Sequence, residues 1–177
     1  YMLNHPNKLN EGRHEDNIKF TYSEEEGFKA SKTLFFNDEN IKTDFIGYYP
    51  YKENAVEKGK NTIEISVDAD QSTIKAYNNS DFLVANTYNI EASNDPVDIV
   101  FKHKLSRLDI KIIPNENYTA ERLKQLNPII KIKDVFQKAT YDFTDNKFTN
   151  LNTINNLLPH GTWEIVNGAL SGKHVLI

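Results

Sequence analysis

Two short stretches of the chain invite a chemical reading. "GALSGKH" (168–174) resembles a phosphate-binding loop. However, three residues separate Gly168 from Gly172 where four are needed, and His174 stands where a magnesium-binding Ser or Thr belongs. "DADQS" opens like a calcium loop with Asp68, Asp70 and Ser72. There Thr73 replaces the sharp-turn glycine, and Asn79 fills the twelfth position in place of a bidentate Glu. It reads instead as a polar hairpin turn. Histidines at 5, 14, 103, 160 and 174 show no short metal-ligand spacing. There is no G-x-S-x-G nucleophile elbow. The absence of cysteine removes thiolate ligands, thiol nucleophiles and disulfides together. The 25 carboxylates include no pair that spacing singles out for glycoside hydrolysis. The expectation is a protein with no enzymatic activity, no cofactor and no metal.

Other residues invite binding or processing. Tyr48, Tyr49 and Tyr51 are candidates for contact with a glycan, as exposed aromatics can form a sugar platform. Alternation nevertheless places Tyr49 and Tyr51 on one face with Phe45, the look of a core strand end. Arg13 is one of three arginines and lies in the polar, turn-like stretch "NKLNEGRHEDN", where a protease would find access. His103 falls in an apolar row and reads as a buried or rim histidine with one ring nitrogen satisfied by backbone.

The totals bound these readings. A chain of 177 residues is long enough for one domain with its own core. A net charge of −4 and a pI near 5.7 argue against nucleic acid as a partner. No apolar run approaches the roughly 20 residues that cross a bilayer as a helix, and any export signal would lie upstream.

Most of the elements that must position these residues have period two. Ile18–Tyr22, Thr33–Phe36, Asp44–Tyr51, Ile63 to Ala69, Phe82–Ala85, Ile129–Phe136 and Thr140–Phe143 all read as strands. "NDEN", "EKGKN", "DADQS", "NNSD", "SNDP" and "TDNK" separate them as turns. Only 119–127 reads as a helix, about two turns ending before Pro128. The pattern predicts an all-β sandwich. "VDIVFKHKLSRLDIKII" (97–113) is the longest strand-like stretch, and its apolar parity flips between Leu105 and Leu108. Fully extended it would reach roughly 55 Å, too long for a compact domain. The flip predicts a bent central strand with a bulge near Ser106–Arg107, its two halves serving different sheets.

The order of "DFIGYYPY", "VDADQS", "SDFLVAN", "VDIVFKHKLSRLDIKI" and "ATYDFTDNKFTNL" resembles the fimbrillin-like family of anaerobic Gram-negative bacteria. Phe101, His103, Leu105, Ser106, Leu108, Ile110 and Ile112 fit the family's "F-x-H-x-L-S-x-L-x-I-x-I" strand position by position. The resemblance covers roughly residues 18–177. It implies a transthyretin-like Greek-key β-sandwich of about seven strands with one short helix, preceded by a flexible segment, 1–17. It also implies a longer subunit whose C-terminal domain is absent. In function it implies a fimbrial subunit or adhesin at the cell surface or outer membrane, exported as a lipoprotein precursor. Cleavage, here at Arg13, would open a sheet edge for strand addition by a neighbouring subunit. A host or bacterial surface ligand is the other expected partner. The alternative is a glycan-binding surface module that uses Tyr48, Tyr49 and Tyr51.

Overall fold

The period-two stretches do form strands. In the computed structural model, which describes residues 2–3, 13–36, 38–56 and 60–177, the described residues are 46% strand and 9% helix. The strands are β1 (Met2–Leu3), β2 (Arg13–Glu15), β3 (Phe20–Ser23), β4 (Gly27–Ala30), β5 (Thr43–Tyr49) and β6 (Thr62–Ser66). They continue as β7 (Leu83–Ile90), β8 (Lys102–His103), β9 (Arg107–Ile112), β10 (Ile132–Asp142), β11 (Lys147–Leu157), β12 (Glu164–Val166) and β13 (Ala169–Leu176). Two helices interrupt them, α1 (Ile74–Ser80) and α2 (Ala120–Leu126). Four sheets result, with orders β2-β1-β5-β7-β8, β11-β10-β6, β12-β13-β9 and β3-β4. The all-β class is therefore as the sequence indicates, with more and shorter strands than the seven expected and a second helix.

Local chemistry explains both helices. Thr119 caps α2 by accepting from the Arg122 N–H at 3.2 Å, and Asn127, at φ 47°, ends it before Pro128. Thr73 caps α1 in the same way, accepting from the Ala76 N–H at 3.2 Å. Just upstream, Asp70 Oδ1 accepts from the Ser72 N–H at 2.9 Å, a side-chain turn that aims the chain into α1. "DADQST" is thus a helix entry and not a hairpin turn. Thr33–Phe36, expected as a strand, has no ladder.

The chain divides into two compact units. The first comprises Tyr1–Glu64, Leu83–His103 and Thr140–Thr149. Its centre is aromatic. Tyr141 and Phe143 are fully buried, with ring centres 5.4 Å apart, and Phe148 and Tyr48 pack edge-on or tilted beside them. Gly47 leaves room for Phe101, since a Cβ there would sit 3.0 Å from that ring.

The second unit comprises Ile65–Phe82, Lys104–Ala139 and Asn150–Ile177. Val67, Leu157 and Val175 form its core, with Ala69, Leu105, Ile132 and Val135 packed on them. Burial of Ile63, Ile65 and Val67 on one face of the β6 stretch follows the sequence alternation. At β13 the chain crosses itself closely: a Cβ on Gly161 (φ +94°) would stand 2.1 Å from the Gly172 carbonyl oxygen, and one on Gly172 (φ +100°) 2.3 Å from that of Thr162. Only glycine fits either position.

Candidate functional site

The stretch 97–113 is the natural starting point, and it is not one bent strand. Residues 97–101 carry no ladder. Lys102–His103 forms the short β8, which pairs with β7 at Leu83↔His103 and Val84↔Lys102 in the first unit. The Lys104 N–H still bonds the Phe82 carbonyl, and Ser106 exchanges both backbone bonds with Ile177 ahead of the β9–β13 pairing in the second unit. The parity flip thus marks a change of sheet at Leu105, as the sequence indicates, but between two separate strands, β8 and β9, and not within one. His103 is exposed and not buried on an apolar row, because β8 presents that side chain to solvent.

In the second unit β13 is flanked on both sides, by very different means. On one flank β12 pairs through Glu164↔Ser171, Ile165↔Leu170 and Val166↔Ala169, closed by an Asn167-Gly168 turn with both residues at positive φ. Farther along, a one-residue bridge joins His160 and His174 through N–H···O bonds of 2.8 and 3.0 Å. At the end, the fully buried Gln71 completes the row. Its amide donates to the Leu176 carbonyl and accepts from the Leu176 N–H, each at 3.0 Å. A single side chain therefore does what a neighbouring strand residue would do.

The other flank of β13 is β9, registered through Leu170↔Ile112, Lys173↔Ile110, His174↔Asp109, Val175↔Leu108 and Leu176↔Arg107. Among the described residues the sheet order ends there. Leu108, Ile110 and Ile112 alternate with Arg107, Asp109 and Lys111 along β9. The apolar row is incompletely covered: Leu108 is 39% exposed, whereas its register partner Val175 is 0% exposed. An edge strand with a half-open apolar face is what an added strand requires, unpaired backbone and side-chain pockets together.

The candidate residues of the first unit lie as follows. Arg13 belongs to β2 and pairs with Leu3 of β1, which in turn pairs with Asp44 of β5. Part of the segment expected to be flexible therefore has a place in a sheet, at Met2–Leu3 and Arg13–Glu15; Tyr1 and residues 4–12, His5 among them, lie outside the described residues. Tyr48 is half-buried, its hydroxyl between Asn17 Oδ1 and the Lys52 carbonyl oxygen. Burial raises its pKa above the usual tyrosine value. Tyr49 and Tyr51 are exposed, and Lys19 lies 5.7 Å over the Tyr51 ring. The structure therefore sets Tyr48 apart from the other two.

One cluster went unnoticed in the sequence. His160 and His174, fourteen positions apart, meet across the β13 flank with ring centres 5.3 Å apart, and Tyr77 of α1 packs on both at 5.2 and 4.9 Å. Burial first, then the Arg107 and His160 charges, push the His174 pKa below the usual histidine value. No local spacing signals the pair, because the bridge alone brings the two residues together.

Three comparisons bear on identity. Two solved structures are similar in fold: a proposed cell adhesion protein from Bacteroides uniformis (TM-score 0.65, 23% identity, 99% of this chain and 66% of that one) and another from Bacteroides ovatus (TM-score 0.59, 16% identity, 85% and 55%). A proposed fimbrium subunit of Bacteroides uniformis, Fim1C, is 33% identical over 98 residues, 55% of this chain and 28% of that protein. The matches thus span two-thirds or less of each relative's own length. The fimbrillin-like family model matches residues 1–175. The chain belongs to the fimbrillin-like family.

Proposed function

We propose that the chain is a non-enzymatic fimbrial subunit or adhesin of the cell surface that assembles with neighbouring subunits by strand addition, with β9 as the receiving edge. The observation that carries this reading is the contrast between Leu108 and Val175: they are register partners, yet only the β13 member is sealed from solvent. A strand added along β9 would satisfy its outward backbone groups and cover Leu108, Ile110 and Ile112. Export as a lipoprotein precursor, cleavage after Arg13 and a further C-terminal domain complete the reading. Loss of residues 1–13 would remove β1 from β5, together with Arg13, the first of the three residues of β2, opening a second edge.

The test is to treat the precursor with an arginine-specific protease and run heated samples on a denaturing gel. A ladder of heat-resistant oligomers that disappears in Arg13→Ala supports processing and strand exchange. A ladder that survives the change keeps the polymer and removes Arg13 from the account.

A second reading, a glycan-binding module, rests on the exposure of Tyr49 and Tyr51. Tyr48 fits it poorly, since its hydroxyl is engaged with Asn17 and Lys52. Glycan-array binding lost in Tyr49→Ala and Tyr51→Ala, with folding intact, would favour it.

A further inference from the structure

We propose that His160 and His174 form a two-imidazole chelate for a divalent transition-metal ion of the zinc, nickel or copper type. The two residues are directly opposite across the bridge, bonded through both backbone groups, so their side chains rise from one face of the β13 flank. His160 Nδ1 lies 3.2 Å from the Ser72 carbonyl oxygen. A carbonyl only accepts, so this nitrogen carries the proton and Nε2 keeps its lone pair. A neutral His174 ring likewise has one nitrogen that keeps its lone pair. At His160, a backbone carbonyl holding one ring nitrogen is the arrangement that orients metal-ligating histidines.

The spacing agrees. With metal–nitrogen bonds of about 2.0–2.1 Å, two imidazoles on one tetrahedral ion have ring centres about 5 Å apart. Here they are 5.3 Å apart and are braced by Tyr77 on both rings. Arg107 disfavours positive charge at His174, but its guanidinium is paired with Asp109 Oδ1 at 2.7 and 2.9 Å, which offsets part of that charge. Asp109, the register partner of His174, has one carboxylate oxygen engaged by Arg107. Among the described residues no cluster of three or more His, Cys, Asp or Glu is placed to hold a metal. The site therefore supplies two ligands, and water completes the coordination. Affinity should follow the usual order, with copper tighter than nickel or zinc.

The test is calorimetric titration of zinc chloride into the whole 177-residue chain near pH 7.5, with nickel-induced broadening of its amide NMR spectrum in parallel. The expected result is one saturable equivalent, at least tenfold weaker in His160→Gln and in His174→Gln. It should be unchanged in His103→Gln and in the double variant His5→Gln/His14→Gln. Broadening in the unmodified chain should centre on Ser72, Tyr77, His160 and His174, a readout that needs no variant to fold. Absence of saturable binding below about 1 mM zinc, binding that follows His5 and His14, or broadening centred elsewhere would overturn the proposal.

Discussion

The two flanks of β13 show two ways of treating the edge of a strand. One is closed along its length by three unlike devices: a paired strand, a histidine bridge and the Gln71 amide. The other is covered by β9, beyond which the sheet order stops among the described residues. On the closed flank Gln71 is fully buried, whereas β12 is exposed along its length, with Ile165 38% and Val166 47% accessible. The β9 flank leaves apolar side chains half open. Closure by a side-chain amide is notable because it satisfies backbone groups without offering a strand for another chain to extend. The addition proposed at β9 concerns the flank without such a side-chain closure; β12 is the other end strand of the same sheet.

The sharpest way to break the closed flank is at the crossing of Gly161 and Gly172. Gly161→Ala should cost about 3 kcal/mol or more, or prevent folding, since its Cβ meets a backbone oxygen that cannot swing aside. Urea denaturation followed by the fluorescence of buried Trp163 measures it. Next comes Gln71→Ala, which orphans the N–H and C=O of Leu176 and should cost about 2–4 kcal/mol. Gln71→Glu should not recover the loss, because a carboxylate cannot donate to the Leu176 carbonyl. If Gln71→Ala is neutral in the same assay, the amide closure is not structural.

The open flank should respond in the opposite sense. Leu108→Lys removes apolar surface that is already 39% exposed, so monomer stability should change by less than about 1 kcal/mol. Assembly, read on the oligomer ladder, should nevertheless be lost. The smallest expected effect is on pH. The folded pKa of His174 lies below its unfolded value, so the stability it contributes is present above about pH 6.5 and falls away as acid protonates the ring. The difference in urea midpoint between pH 7.5 and pH 5 should therefore be smaller in His174→Gln than in the parent chain.

Much of the fold was legible in the sequence because period two survives wherever strands stay regular. Ile63, Ile65 and Val67 alternate in sequence and are buried as one row. The parity flip of 97–113 correctly signalled a change of sheet, although it overestimated the continuity of the strand. The long β11 was not legible, and its backbone explains why: Asn150 and Thr153 both adopt positive φ, so Leu151 and Ile154 fall out of alternation. The helix α1 was missed because Asp70, Ser72 and Thr73 are equally good turn and capping residues. The histidine pair and the role of Gln71 depend on contacts 14 and 105 positions apart, which no local pattern carries.

The most direct test of the central claim is hydrogen exchange along β9, before and after assembly of the processed protein. The account predicts that the β9 amides not bonded to β13 exchange rapidly in the isolated chain and become protected in the oligomer, while amides of the closed flank at His174 and Leu176 are protected in both. Oligomers whose β9 amides exchange as fast as those of the isolated chain would contradict it.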